Sequence, residues 1–130
     1  MINSGIINYR TIMDIEKIRK YCLKKRKVTE GFPFGEDVLV FKVMNKIFCL
    51  VSLNPPYSIN LKCDPELAVE LREKYDSVTP GYHMNKTNWN TIVLDRSISD
   101  KEIFLWIDNS YQLIAENLPK KEREALMKNS

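Results

Sequence analysis

Two apolar runs, Val38 to Met44 and Ile47 to Leu53, stand only two residues apart across Asn45-Lys46. Their length and their Val and Phe content fit strands, and so short a link returns the second strand antiparallel beside the first. A β-hairpin is therefore expected near the middle of the chain, and the remaining elements must be arranged around it. Asn54-Pro55-Pro56 follows as a loop or edge, because proline cannot donate to a central ladder. A third strand is expected at about Tyr57 to Lys62.

Helical signals flank this group of strands. Thr11-x-x-Asp14 reads as a helix start, with Ile15, Ile18 and Cys22 on one apolar face, and the periodicity fades in Lys24-Lys25-Arg26-Lys27. Gly31-Phe32-Pro33-Phe34-Gly35 is a break. Asp64-Pro65-Glu66 opens a second helix as N-cap, first-turn proline and first-turn acid, and Leu67, Leu71 and Tyr75 supply its buried stripe. A fourth strand is expected at about Asn90 to Leu94. Ser99-x-x-Glu102 is a capping box for a long final helix whose inner face carries Ile103, Trp106, Ile107, Ser110, Ile114 and Leu118. Pro119 ends or bends that helix, and a short basic tail follows. No alternating βαβ units occur. The expected fold is α+β, a two-layer sandwich with an antiparallel sheet and helices packed on one face.

A chain of 130 residues fits one domain: residues 1–10 as an N-terminal extension and 11–130 as the domain proper. With 44% hydrophobic and 28% charged residues it has the composition of an ordered core. Cys22, Cys49 and Cys63 are odd in number and lack C-x-x-C spacing, so neither a disulfide framework nor a four-ligand zinc site is expected. No apolar run suits a signal peptide or a membrane span, and the expectation is a cytoplasmic protein.

The common catalytic signatures are missing: no P-loop, no G-x-G-x-x-G, no G-x-S-x-G. His83 is the single histidine. Cys49 or Cys63 could approach it in space, but apolar surroundings raise a thiol's pKa and blunt it. Glu36-Asp37 and Asp64 suit turn and cap roles. No enzymatic activity, cofactor or metal is expected.

Two segments remain as candidate binding surfaces. Pro80 to Thr91 gathers His83, Asn85, Lys86, Asn88, Trp89, Asn90 and Thr91 at an expected loop-to-strand transition. Lysine neutralises phosphate, asparagine both donates and accepts, and an indole or imidazole stacks, a mixture that suits phosphate or base contact. The structural alternative makes Trp89 a core residue and the amides satisfiers of loop backbone. The second segment holds six cations in nine positions, Arg19-Lys20 and Lys24-Lys25-Arg26-Lys27. It is either a patch for nucleic acid or a solvated helix end whose cations offset the macrodipole. Lys120-Lys121-x-Arg123 has the same ambiguity. Residues 1–65 carry 11 Lys and Arg against 6 Asp and Glu, whereas residues 66–130 carry 9 against 11. The basic character is thus local.

Three segments together resemble the MmcQ/YjbR family: Pro33-Phe34-Gly35-Glu36-Asp37-Val38-Leu39-Val40-Phe41-Lys42-Val43, then Asn60 to Ala68, then Pro80-Gly81-Tyr82-His83-Met84-Asn85-Lys86-x-x-Trp89-Asn90-Thr91. Asp108-x-Ser110-Tyr111 and Leu118-Pro119-Lys120-Lys121 are similar to the family's C-terminal helix. The resemblance implies an α/β sandwich akin to frataxin-like and secretion-chaperone-like folds, and a DNA-binding role. Asn88 stands where members often carry histidine. The resulting expectation is a small DNA-binding, regulatory protein, with His83, Asn85, Lys86, Asn88, Trp89 and Lys24 to Lys27 as contacts. The alternative is a protein-interaction module that captures a protein partner.

Overall fold

The computed structural model describes residues 9–81 and 84–128. Helix α1 (Tyr9–Leu23) leads into strands β1 (Val28–Gly31), β2 (Val38–Val43), β3 (Lys46–Ser52) and β4 (Ser58–Lys62). Helix α2 (Pro65–Lys74) crosses to β5 (Val78–Pro80), β6 (Trp89–Val93) follows, and α3 (Asp100–Glu116) and α4 (Lys120–Met127) complete the described chain. The sheet order is β1-β2-β3-β4-β6-β5 and every pairing is antiparallel. The crossover through α2 leaves a gap beside β4 that β6 fills, so the motif segment returns the chain into the sheet's interior.

The expected hairpin is present, with its turn one residue earlier than the sequence suggests. Met44 (φ 49°) and Asn45 (φ 70°) form the turn, and Lys46 already belongs to β3. Positive φ at both central residues matches the twist of the flanking strands. The register slips between Phe41 and Lys42: Phe41 faces Cys49, Lys42 faces Ile47, and Phe48 is left over as a bulge. Phe48 and Cys49 are consequently both fully buried.

The helices pack on one face of the sheet, around Phe41, Phe48, Ile59, Ile92, Ile103, Trp106 and Ile107. Each such side chain contributes on the order of 1.5–3 kcal/mol by leaving water. The opposite face has its own smaller cluster of Val40, Leu50 and Trp89, with Val38, Ile47 and Met84 packed against it. Ile18 and Cys22 hold α1 down as expected. The capping box forms in part, since the Ser99 hydroxyl accepts from the Glu102 amide at 3.2 Å.

Some local expectations need correction. Tyr9 and Arg10 already belong to α1, so Thr11 lies within the helix rather than capping it. Asp14 instead accepts twice from the Arg96 guanidinium, both oxygens at 2.9 Å. Asp64 does occupy the N-cap position of α2, but its carboxylate caps no amide. Strands β1 and β5 and helix α4 are additions. Val28 is the single large apolar residue of β1, and β5 is three residues ending in proline, so neither shows a strand period.

Candidate functional site

The motif segment begins where β5 closes on β6. The Gly81 amide donates to the Trp89 carbonyl at 2.7 Å, and Pro80 pairs with Asn90. Beyond this neck the Asn85 side-chain oxygen accepts from the amides of Thr87 and Asn88, both at 3.0 Å, a turn built from an asparagine. The Asn88 carbonyl accepts from the Cys63 amide at 2.7 Å, tying the loop to the end of β4. Asn90 donates to the Ala68 carbonyl of α2, and Thr91 donates to Asn60 Oδ1 at 2.6 Å. Lys86 is exposed. His83 lies outside the described residues.

Trp89 is 5% exposed, wedged against Val40 and Leu50. An indole so covered offers no open face for a base to stack on, which corrects its expected role as a stacking contact. The Asn85 side chain is engaged in shaping the loop, and Asn88 takes part through its backbone amide and carbonyl. Lys86 is the described cation of the motif and is exposed, as are Asn85 and Thr87.

The basic run at the end of α1 is anchored rather than loose. Tyr21 donates its hydroxyl to both oxygens of Asp108, at 2.8 and 2.9 Å, and its ring stacks on Phe104 with centroids 4.2 Å apart. The Lys25 ammonium meets the same carboxylate and lies over the Tyr21 and Tyr111 rings, 4.9 and 5.2 Å from their centroids. Tyr111 donates to the Arg26 carbonyl at 2.8 Å. Asp108 and Tyr111 of α3 thereby clamp the turn that follows α1. Lys25 is a member of that clamp, which corrects its expected place among free phosphate contacts. Arg19 is also engaged, forking onto Glu30 at 2.8 and 2.9 Å and reaching Glu16. Lys24, Arg26 and Lys27 are the exposed cations of the Lys24-to-Lys27 run.

Burial pushes the Tyr21 phenol up to about 12, aided by its bond to Asp108. A raised pKa stabilises the folded protein fully below about 10 and loses that contribution as pH rises through the folded value. An alkaline absorbance titration is therefore expected to show Tyr21 ionising late, near 12, with Tyr111 also raised by burial. Tyr21→Phe is expected to remove one tyrosine's amplitude from the component near 12; an unchanged amplitude there would show the assignment to Tyr21 to be wrong.

Helix α4 returns to the clamp and supplies cations of its own. Arg26 donates to the Lys128 carbonyl at 2.9 Å. A broad cleft of about 1170 Å³ is lined by Arg26, Lys27, Lys121, Arg123 and Lys128, with Glu124 the acid among them. A neighbouring groove of about 480 Å³ shares Arg26 and Arg123 and adds Lys24, Lys25 and a floor of Tyr111, Ala115 and Leu126. The fold has joined two basic segments that are some hundred positions apart in the chain. Lys128 was not singled out in the sequence, where a lone lysine near the end carries no signal. Lys86 belongs elsewhere: its loop packs Met84 on the helix-free face, whereas the clamp sits on the helix side at the β1 edge.

Cys22, Cys49 and Cys63 are all buried as free thiols. Desolvation raises the Cys49 thiol well above its ordinary value, with Cys22 alongside, and burial pushes Cys63 up to about 11. Among the described residues no cluster of His, Cys, Asp and Glu could hold a metal ion. No described helix is long and apolar enough to cross a membrane.

A six-stranded antiparallel sheet layered by helices on one side, with a clamped basic turn at one edge, defines the class of this domain. The family model described as YjbR matches residues 23–113, and the chain belongs to that family. It is 33% identical over 117 residues to the Escherichia coli (strain K12) protein YjbR, covering 88% of this chain and 98% of that one. With YbdF of Escherichia coli O157:H7 the identity is 34% over 110 residues, covering 84% and 90% of the two chains. The crystal structure of Deinococcus radiodurans DR2400, a DUF419 domain, superposes with a TM-score of 0.80 at 34% identity over 86% of each chain. A Pseudomonas syringae protein superposes with a TM-score of 0.64 at 30% identity, over 82% of this chain and 98% of that one.

Proposed function

We propose that this protein binds nucleic acid without chemistry, in the cytoplasm, gripping the phosphate backbone with the surface centred on Arg26. The observation that carries this reading is the convergence of Lys24, Arg26 and Lys27 with Lys121, Arg123 and Lys128 around adjoining grooves. Phosphate contacts of this kind position a protein on nucleic acid and carry little sequence information. DNA is the ligand the family resemblance suggests. Lys86 is not part of the grip.

The test is a titration of short duplex and single-stranded DNA from low to moderate salt. Affinity is expected to fall with salt, by a slope of about −0.9 for each duplex phosphate neutralised. Lys24→Glu with Lys27→Glu is expected to weaken binding by at least about tenfold and to flatten the slope by about 2. Lys86→Glu leaves both nearly unchanged. A flat salt response, or full affinity in the double variant, sinks the reading. Lys25 is left intact because its loss would also disturb the clamp.

A protein partner is the second reading, favoured by Met127, which is 75% exposed beside the Leu126 and Tyr111 floor. Binding there would tolerate salt and fail in Met127→Glu.

A further inference from the structure

The helix-free face of the sheet holds a groove of about 440 Å³ at the end of the strands away from the basic surface. Its floor is a row of cross-strand neighbours, Val38, Ser52, Ser58 and Val93, which face one another in register across β2, β3, β4 and β6. Thr79 and Thr91, also paired, extend the floor toward β5. Pro55, Pro56 and Pro80 form apolar walls, and Asp37 stands at the rim. Segments around Asp37-Val38 and around Pro80 and Thr91, both singled out in the sequence, frame the groove from opposite sides.

Its chemistry is one-sided. Among the described residues of the lining Asp37 is the only charged one. The Ser52 hydroxyl donates a long hydrogen bond to the Asn54 carbonyl at 3.4 Å, and its oxygen lone pairs can accept from the groove. Ser58 is 8% exposed and lines the groove. A carboxylate at the rim of apolar walls disfavours anions and suits a cationic, donor-bearing group. The volume falls within the usual range of small-molecule sites.

We propose that this groove binds a small organic amine, its ammonium donating to Asp37 and the Ser52 oxygen, with its carbon chain against the prolines and Ser58 meeting its polar end. The site is independent of the basic surface, which lies on the other side of the sheet and selects the opposite charge.

The experiment is an amide-resolved NMR titration of the full chain with putrescine, butanediol and succinate, four-carbon probes that differ in charge. Putrescine is expected to shift the Ser58 and Thr79 amides saturably, with a dissociation constant on the order of millimolar. Butanediol should bind more weakly and succinate not at all. Asp37→Asn, near-isosteric and at an exposed position, is expected to weaken putrescine about tenfold, or about 1.4 kcal/mol. Ser58→Val should block the groove, with Asp37→Asn deciding the matter should that variant fail to fold. Equal responses to succinate and putrescine, shifts confined to acidic residues elsewhere, or unchanged binding in Asp37→Asn would each overturn the proposal.

Discussion

Gly81→Ala is expected to lower stability by about 3 kcal/mol and the melting temperature by roughly 10 °C. A Cβ at this position would stand 2.7 Å from Trp89 Cβ, 2.9 Å from the Trp89 carbonyl oxygen and 3.1 Å from its carbonyl carbon. These neighbours are largely backbone of β6, an interior strand paired on both sides, and cannot swing aside. The clash would push apart the two strands that meet at the Gly81–Trp89 hydrogen bond. It would also disturb Trp89, which plugs the smaller cluster on the helix-free face. Thermal unfolding measures the loss, and tryptophan emission in a Trp106→Phe background reports on Trp89 alone. A Gly81→Ala protein with unchanged stability and emission would show that this approach is not as close as described.

The second large effect is expected at Ser110. Its hydroxyl donates to the Phe48 carbonyl at 2.6 Å and accepts from the Lys62 amide at 2.9 Å, at zero exposure. The bulge at Phe48 is the reason this bridge is needed. Regular pairing of β3 with β4 ends at Cys49 and Leu61, and the next carbonyl and amide are held by the helix. Ser110→Ala strands both groups away from water and should cost about 2 kcal/mol. Ser110→Val leaves the same two groups unmet and adds volume, at a cost of about 4 kcal/mol. Chemical denaturation of the two variants checks this, together with exchange of the Lys62 amide. If Ser110→Ala were neutral and that amide still protected, the strands would have closed on each other and the hydroxyl would be dispensable.

These two positions mark where the sequence was readable and where it was not. The apolar runs of β2 and β3 identify themselves because burial on both faces demands unbroken hydrophobicity. Their turn was displaced by one residue, since nothing in the sequence marks Met44 as a residue with positive φ. Ser110 was legible as the one polar residue on the inner face of α3, but its task depends on a bulge that leaves no trace in hydrophobic spacing. The cations of Lys24 to Lys27 were visible as composition. Which of them is free was not, because Asp108, the partner of Lys25, is 83 positions away. In the motif segment the polar residues read as a surface, whereas several of them hold the loop together. For Trp89 the sequence left a stacking contact and a core residue both open, and the return of β6 into the sheet decides for the core.

The sheet also ends abruptly on both sides. The outermost strands are four and three residues long, the latter closing in Pro80, which has no amide proton to offer. A growing fibril requires a long, flat margin onto which another chain can be laid, and neither margin here supplies one. The long β2 and β3 strands, hydrophobic enough to seed such growth, are enclosed within the sheet. The fold therefore carries its own protection against polymerisation at high concentration, and that protection fails first where β1 or β5 peels away.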